Sequence, residues 1–408
     1  MVRVPQLVKP RDPAECRTQS HASDCAEVDT CNLVMVRSFF LCALFFSGCA
    51  GRLVTFSNLL PRRDKSGAIM NAHDGTIRRY GPPGSHFYYH AMGYPACAEP
   101  GTINGCNSCL YNQTNSIDVW RSPDLSSGSW EHVSTAYPSS SAGLPRCTYF
   151  RSQAIFNPST KEYVLWANAV GCVATTCPGG TCGLYAIATA SSPDGPFQFI
   201  TMATPAAPAP TTALGDFALF VDHDGSGWIV LTYLPNGAGP RDMYVFSLTH
   251  NFLGFGPANT GVLPGPKLVE APSFFRRAAT YYILLGGCTC MGLYGGGVGV
   301  LTAPHPLGPW ENVTGSLDPG CAMMKQSTCF QMGPGDICDP VTQAQQNFVI
   351  EVPLADGTTQ LVWTGDRWQQ SPDRMYDQQP QTWLPLMFDE SDTILPLKWV
   401  DNFTLDVA

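Results

Sequence analysis

The sequence predicts an all-β protein, a five-bladed β-propeller of four-stranded antiparallel blades. Three observations carry this expectation. Apolar runs of strand length recur in five similar groups along the chain. Gly and Pro are abundant, 39 and 35 of 408 residues, which suits short strands and tight turns better than long helices. No segment carries a long apolar face at helical spacing. Groups of short strands repeating at this length are the pattern of radial blades.

The first 50 residues stand apart. Residues 35–50 read Met-Val-Arg-Ser, then an apolar run, then Ser-Gly-Cys-Ala, the three-part form of a signal peptide. The run is too short to span a bilayer. Residues 1–34 lack apolar periodicity, and Met35 stands where such a signal should begin, so they read either as an over-extended start or as a disordered extension. Residues 51–69 are expected to be a linker and 70–408 the propeller.

The first unit runs from His73 and Asp74 through Phe87, Tyr88 and Tyr89 to Asp118, Val119 and Trp120, and Trp130 closes it. The second starts at Arg151 and Ser152, passes Tyr163, Val164, Leu165 and Trp166, and ends at Gly195, Pro196 and Phe197. The third opens at Asp216 and reaches Trp228 and Ile229 after Asp222, His223, Asp224 and Gly225. That quartet reads as a hairpin turn. It lacks the further ligands and the glutamate of a calcium loop. The fourth unit opens at Glu270, continues through Tyr281 and Tyr282, and closes at Gly308, Pro309 and Trp310. The glycines before Val298 are no phosphate cradle, since neither helix nor lysine follows. The fifth opens at Gln345, passes Leu361, Val362 and Trp363, and ends with Trp383, Leu384 and a terminal strand near Trp399.

A net charge of −9 argues against a nucleic-acid surface. Seventeen cysteines are present. Five precede residue 51, and loss of that segment leaves an even set, as disulfides in an oxidising compartment require. They cluster as Cys97, Cys106 and Cys109; Cys172, Cys177 and Cys182; and Cys321, Cys329 and Cys338. Metal binding is the rival reading, but paired knuckles at zinc spacing are absent. Asn112, Asn312 and Asn402 begin glycosylation triplets. The expectation is a secreted protein, monomeric, without cofactor or metal, free of the membrane once the signal is removed, and taking an oligo- or polysaccharide as partner.

In a propeller the first strand of each blade lines the central channel, so residues at equivalent positions converge. Asp74, Asp216, Glu270 and Gln345 are expected to share that position. Three carboxylates gathered in a cleft suit acid and base chemistry, against the alternative that each merely caps a strand end or pairs with Arg78, Arg151 or Arg367. Inverting glycoside hydrolysis needs one carboxyl kept protonated and a base across the sugar, roughly 6.5–9.5 Å away. Glu270 is the candidate acid, its pKa expected to be raised by Phe274, Phe275, Tyr282 and the nearby charge of Asp216. Asp216 would tune it, and Asp74 would polarise the water.

Residues 268–275, followed by Tyr281, Tyr282 and Gly308-Pro309-Trp310, resemble the acid-bearing blade of glycoside hydrolase family 43, the five-bladed propeller glycosidases. Residues 216–225 resemble the blade bearing that family's pKa-modulating aspartate. Asn71-Ala72-His73, residues 364–368 and residues 383–386 are similar to the branch containing exo-β-1,3-galactanases. The resemblance covers roughly residues 70–400. It implies hydrolysis of galactan or of arabinose- or xylose-containing polymers. That branch has glycine where Asp74 stands and uses a glutamine in place of a base carboxylate, for which Gln345 is the counterpart here. It also carries a second-blade glutamate where this chain has Phe150. The resemblance implies sugar contacts from Asp366 and Arg367, although a strand-end ion pair is equally open. Trp120, Trp166 and Trp383 are stacking or core candidates, Trp166 more readily core, and His73 would shape the site or satisfy backbone beneath it. The rival function is a carbohydrate-binding propeller with little or no catalysis.

Overall fold

The computed structural model describes residues 51–82, 84–99, 115–138, 147–170, 184–206, 214–234, 240–288, 291–293, 295–313, 317–318 and 341–408. The expected signal, Asn112 and the cysteines Cys106, Cys109, Cys172, Cys177, Cys182, Cys321, Cys329 and Cys338 lie outside them.

The chain enters through β1 (Arg52–Ser57). Blade 1 is β2 (His73–Arg79), β3 (Phe87–Gly93), β4 (Ser116–Ser122) and β5 (Glu131–Pro138). Blade 2 is β6 (Thr148–Asn157), β7 (Glu162–Val170), β8 (Leu184–Ala190) and β9 (Gln198–Ala203). Blade 3 is β10 (Leu214–Val221), β11 (Gly227–Tyr233), β12 (Asp242–Leu248) and β13 (Phe255–Asn259). Blade 4 is β14 (Val269–Arg277), β15 (Thr280–Gly287), β16 (Val298–Ala303) and β17 (Glu311–Val313). Blade 5 is β18 (Gln345–Pro353), β19 (Thr359–Asp366) and β20 (Gln381–Pro385), and β21 (Asn402–Val407) follows. Neighbouring strands in each blade pair antiparallel in sequence order. The first strands touch in the ring order β2, β6, β10, β14, β18 and back to β2, so five blades surround one channel.

The strands are apolar on both faces because each blade is sandwiched between two others. In β11, Ile229 and Leu231 join the core shared with blade 2, whereas Trp228 and Val230 join the core shared with blade 4. In β15, Tyr281, Ile283 and Leu285 face blade 3, and Tyr282 and Leu284 face blade 5. This period-two division yields a separate apolar core for each pair of neighbouring blades. The expected turn at Asp222 is a hairpin: Gly225 N–H donates to the Asp222 carbonyl over 2.9 Å, and Gly225 has φ +83°, which glycine adopts without steric cost.

Two expectations are corrected. Residues 51–69 are not a plain linker, because β1 pairs along its length with β21. The terminal strand does not complete blade 5, which has three strands. Strand order alone cannot reveal a pairing between the two ends of the propeller. Val54, Phe56 and Val407 instead pack with Ile350, Val352 and Trp383 on the flank between blades 5 and 1.

Asn58 fastens this ribbon to blade 5. It is 2% exposed; its Nδ2 donates to the carbonyls of Trp383 (2.8 Å) and Val400 (2.9 Å), and its Oδ1 accepts from Trp383 N–H (2.8 Å). Asn58→Ala strands two buried backbone groups of Trp383 and the half-buried Val400 carbonyl, and a buried group costs about 1–3 kcal/mol unpaired. A loss of about 3 kcal/mol or more in urea unfolding is expected; a change under about 0.5 kcal/mol would show that the ribbon is not held this way.

Candidate active site

The first strand of every blade carries a β-bulge at its channel-mouth end. The register with the second strand shifts between His73 and Thr76, Phe150 and Gln153, Leu214 and Phe217, Glu270 and Ser273, and Gln346 and Val349. The extra residue breaks strict alternation and re-aims side chains. Asp74 and Arg151 occupy the same step of this bulge, Asp216 one step later, Glu270 one step earlier and Gln345 two steps earlier. The expectation of one shared position is therefore corrected: the four heads converge through different steps. Asp74, Arg151 and Ala271, all at the common step, have φ of 50°, 51° and 55°, a conformation that costs non-glycine residues about 1–3 kcal/mol each. After Asp74 the next step must be small, since a Cβ on Gly75 would overlap the His90 carbonyl.

Asp74, Arg151, Asp216, Arg241, Glu270 and Gln345 line a cavity of about 240 Å³. Phe150, Val170, Leu214, Leu234, Met291 and Trp368 complete its wall. A larger cavity of about 330 Å³ lies further along the same first strands, around Thr76 to Tyr80, Gln153 and Ser273. It has Glu351 as its one carboxylate among the described residues, whereas the smaller one gathers Asp74, Asp216 and Glu270.

Arg151, 3% exposed, organises the cluster. Its Nε lies 3.1 Å from Asp216 Oδ2, and its Nη1 lies 3.2 Å from Asp74 Oδ1. Nη1 also donates to Asn347 Oδ1 over 2.9 Å and Nη2 to the Gln346 carbonyl over 3.1 Å. One guanidinium from blade 2 thereby ties blades 1, 3 and 5. Asp216 Oδ2 accepts from Ala271 N–H at 3.0 Å, which links it to the residue after Glu270. Glu270 Oε2 accepts from Arg241 Nη1 at 2.7 Å. Its Oε1 accepts from Gln345 Nε2, and Gln345 Oε1 accepts from Trp368 Nε1 at 2.6 Å.

Burial pushes the Asp74 carboxyl well above the usual range; Arg151 opposes this, and the charges of Asp216, Asp366 and Glu270 add to it. Burial likewise raises Asp366 to about 6, although Gln381 donates to it. Glu270 does not occupy the setting expected to keep it protonated. Phe274 belongs to the core toward blade 3, and Phe275 and Tyr282 to the core toward blade 5, while both Glu270 oxygens accept hydrogen bonds. Bulged strands turn the head away from the side chains that follow it.

Other expected sugar contacts are also corrected. Asp366 lies behind the cavity, where its Oδ2 accepts from Asp74 N–H at 3.2 Å and its Oδ1 from Gln381 Nε2 at 2.7 Å. Arg367 points elsewhere, donating to Gln370 and to the Asn58 carbonyl. Trp120 and Trp383 are core residues between blades 5 and 1, and the Arg62 guanidinium covers the Trp383 ring at 3.5 Å. Trp166 is core between blades 2 and 3. His73 is fully buried against Tyr94 and Trp368, and burial holds its imidazole down at about 4. It supports a wall residue instead of lining the cavity. Arg241 and Trp368 escaped the sequence reading. Trp368 carried a signal, lying two residues after Asp366 in a quoted motif, and Arg241 carried none. Among the described residues, no group of three or more His, Cys, Asp or Glu is arranged to hold a metal ion.

A family model described as glycosyl hydrolases family 43 matches residues 108–318, more than half of the chain. The chain belongs to that family. It is accordingly a glycosyl hydrolase, and the residues gathered at the channel mouth are this family 43 enzyme's candidate machinery. The fold is similar to an exo-β-1,3-galactanase from Clostridium thermocellum, with 21% identity over 86% of this chain and 67% of the other and a TM-score of 0.63. It is also similar to an exo-β-1,3-galactanase from Phanerochaete chrysosporium in complex with galactose, at 18% identity, 86% and 69% coverage and a TM-score of 0.61. A β-1,3-galactosidase bound to galactodeoxynojirimycin matches at 21% identity, 85% and 99% coverage and a TM-score of 0.60. At these identities the likeness speaks for the fold. No curated protein sequence matches significantly.

Arg151→Met would leave Asp74 facing other carboxyls without its counter-charge. Breaking a buried pair this way costs about 3–5 kcal/mol. Asp74 is already raised in the folded state, and loss of Arg151 raises it further. A carboxyl with a raised folded pKa favours folding below its unfolded value and loses that contribution as pH rises. The stability deficit of Arg151→Met should therefore be greatest at pH 7 and narrow toward pH 4 in urea titrations. A deficit that widens on acidification would contradict this electrostatic account.

Proposed function

We propose that this family 43 enzyme is a secreted glycosidase that hydrolyses galactan or arabinose- or xylose-containing polysaccharides with inversion at the anomeric carbon. The observation carrying this reading is the convergence of Asp74, Asp216, Glu270 and Gln345 from four blades into one buried cavity. Glu270 protonates the departing oxygen, Asp216 tunes the cluster, and Asp74 or Gln345 serves the side from which water attacks. Glu270 stands on blade 4 and Asp74 on blade 1, and inversion calls for a sugar and a water between the two carboxyls. Galactose- and β-1,3-galactotriose-bound galactanases among the structural relatives support a galactan substrate. Secretion draws support from Cys97, Cys147 and Cys288, each paired in a disulfide, and from the exposed Asn402 in its acceptor triplet.

A second reading exchanges the two roles. It is favoured by the donors on both Glu270 oxygens, which suit a carboxylate, and by the raised pKa of Asp74, which suits an acid. Leaving-group chemistry separates the two. An excellent leaving group such as dinitrophenolate departs without protonation, so loss of the acid spares it, whereas loss of the base does not. Glu270→Gln should lower turnover of the glycan by about 10²–10⁴-fold and of the dinitrophenyl glycoside far less, with Asp74→Asn lowering both. The opposite pattern installs the exchanged roles. Unchanged glycan turnover by both variants would remove the cluster from the reaction. A proton NMR time course that shows the product anomer retained would refute inversion.

A further inference from the structure

Four side chains at the channel mouth form a row in which the direction of each hydrogen bond is fixed. Trp368 Nε1 donates to Gln345 Oε1 over 2.6 Å, Gln345 Nε2 donates to Glu270 Oε1, and Glu270 Oε2 accepts from Arg241 Nη1 over 2.7 Å. The two ends of an amide are told apart by their partners, and here the indole decides. A tryptophan N–H can only donate, so the Gln345 atom that it meets is the oxygen, and the amide nitrogen is turned to Glu270. Donors therefore reach Glu270 from two sides. A hydrogen bond donated to a carboxylate favours its charged form.

Trp368 is held in place by groups other than those it orients. It is 2% exposed, and its ring packs on His73 and Tyr94, with centroids 6.0 Å away in both cases. Two residues on, Gln370 Nε2 donates to the Gln343 carbonyl at 2.8 Å and to the Leu293 carbonyl at 3.1 Å. Packing thus aims the indole N–H at Gln345. We propose that Trp368 is a positioning residue: by locking the Gln345 amide it sets the ionisation of Glu270 from two hydrogen bonds away. Freed from the indole, the amide can turn its oxygen to Glu270 and accept the proton of the neutral acid, so the protonated form gains what the carboxylate loses. Arg241, Arg151, Asp74 and Asp216 are the charged groups around Glu270, with Asp366 opposite Gln345 on β19. A change at Trp368 leaves all five present. The inference takes its place in the reaction from the glycosidase reading above.

The test is an NMR titration of the full chain carrying glutamate labelled with carbon-13 at the side-chain carboxyl, with the Glu270 resonance identified by its loss in Glu270→Gln. In Trp368→Phe, which keeps an aromatic ring and removes the donor, the Glu270 midpoint should rise by about one pH unit, the worth of one hydrogen bond to a charged group. The same substitution should add nothing in a Gln345→Met background, where no amide remains to turn. A midpoint that stays or falls, or a rise that persists in the Gln345→Met background, overturns the inference. Should Trp368→Phe fail to fold, the benzothiophene analogue of tryptophan placed at 368 keeps the ring shape without the N–H and must give the same rise. The pH profile of glycan turnover tests the glycosidase reading separately. A limb that follows the Glu270 midpoint supports both, whereas a raised midpoint with unmoved limbs supports the role of Trp368 and overturns Glu270 as a reacting group.

Discussion

The buried guanidinium of Arg151 is the constraint on which the channel mouth depends. Carboxyls from blades 1 and 3 can approach the axis because a cation from blade 2 stands between them. Its planar fork also reaches the Asn347 side chain and the Gln346 carbonyl of blade 5, a set of acceptors that the point charge of a lysine could not satisfy at once. Burial disfavours the cation, yet the surrounding carboxylates outweigh that and raise its pKa above the ordinary value. Charge is still not balanced. Asp74, Asp216, Glu270 and Asp366 face Arg151 and Arg241, and burial raises the pKa of both Asp74 and Asp366.

Stability and chemistry occupy different parts of the same strands. Beyond the bulge, alternating apolar side chains fill the cores between blades and hold the ring. At the bulge the alternation fails, and polar groups swing into the channel at the expense of backbone strain at Asp74, Arg151 and Ala271. Strain of this kind persists only where the surroundings over-determine it. Here they do, since Arg151 is fixed by four acceptors and Asp74 N–H by Asp366.

The blades were legible because burial on both faces writes long apolar runs into β7, β11, β15 and β19, and no other arrangement of short strands needs so many. The chemistry of the mouth was legible as residue types: Asp74, Asp216, Glu270 and Gln345 do meet. Their register was not, since a bulge adds one residue without any mark in composition, and nothing in the start of the second unit at Arg151 and Ser152 marked Arg151 as the residue that holds the cluster. Trp120 and Trp383 were ambiguous for a related reason. An indole fills an inter-blade gap as well as it stacks on a sugar, and only the Arg62 guanidinium over the Trp383 ring decides between them. The closing ribbon of β1 and β21 was hidden because its partners lie at opposite ends of the domain and share no turn.

Which carboxyl carries the proton bears directly on mechanism. In the unliganded site both Glu270 oxygens accept from donors on Arg241 and Gln345, while burial raises the Asp74 carboxyl. For Glu270 to serve as the acid, a proton must reach it as the sugar binds, and Arg241 or Gln345 must yield a hydrogen bond so that Glu270 can donate one. A sugar can cause this, because its hydroxyls compete for the same donors and its ring removes water from around the carboxyls. Groups coupled this closely titrate as a cluster and not as individuals, so the position of a proton among them can change when the sugar binds. Under the exchanged assignment no transfer is required, but Asp74 must then reach the leaving oxygen past the guanidinium that grips it. The two assignments thus differ in which arginine has to let go, Arg241 for Glu270 as the acid and Arg151 for Asp74. Arg151 is bound by four acceptors across three other blades, and Arg241 pairs with Glu270 itself.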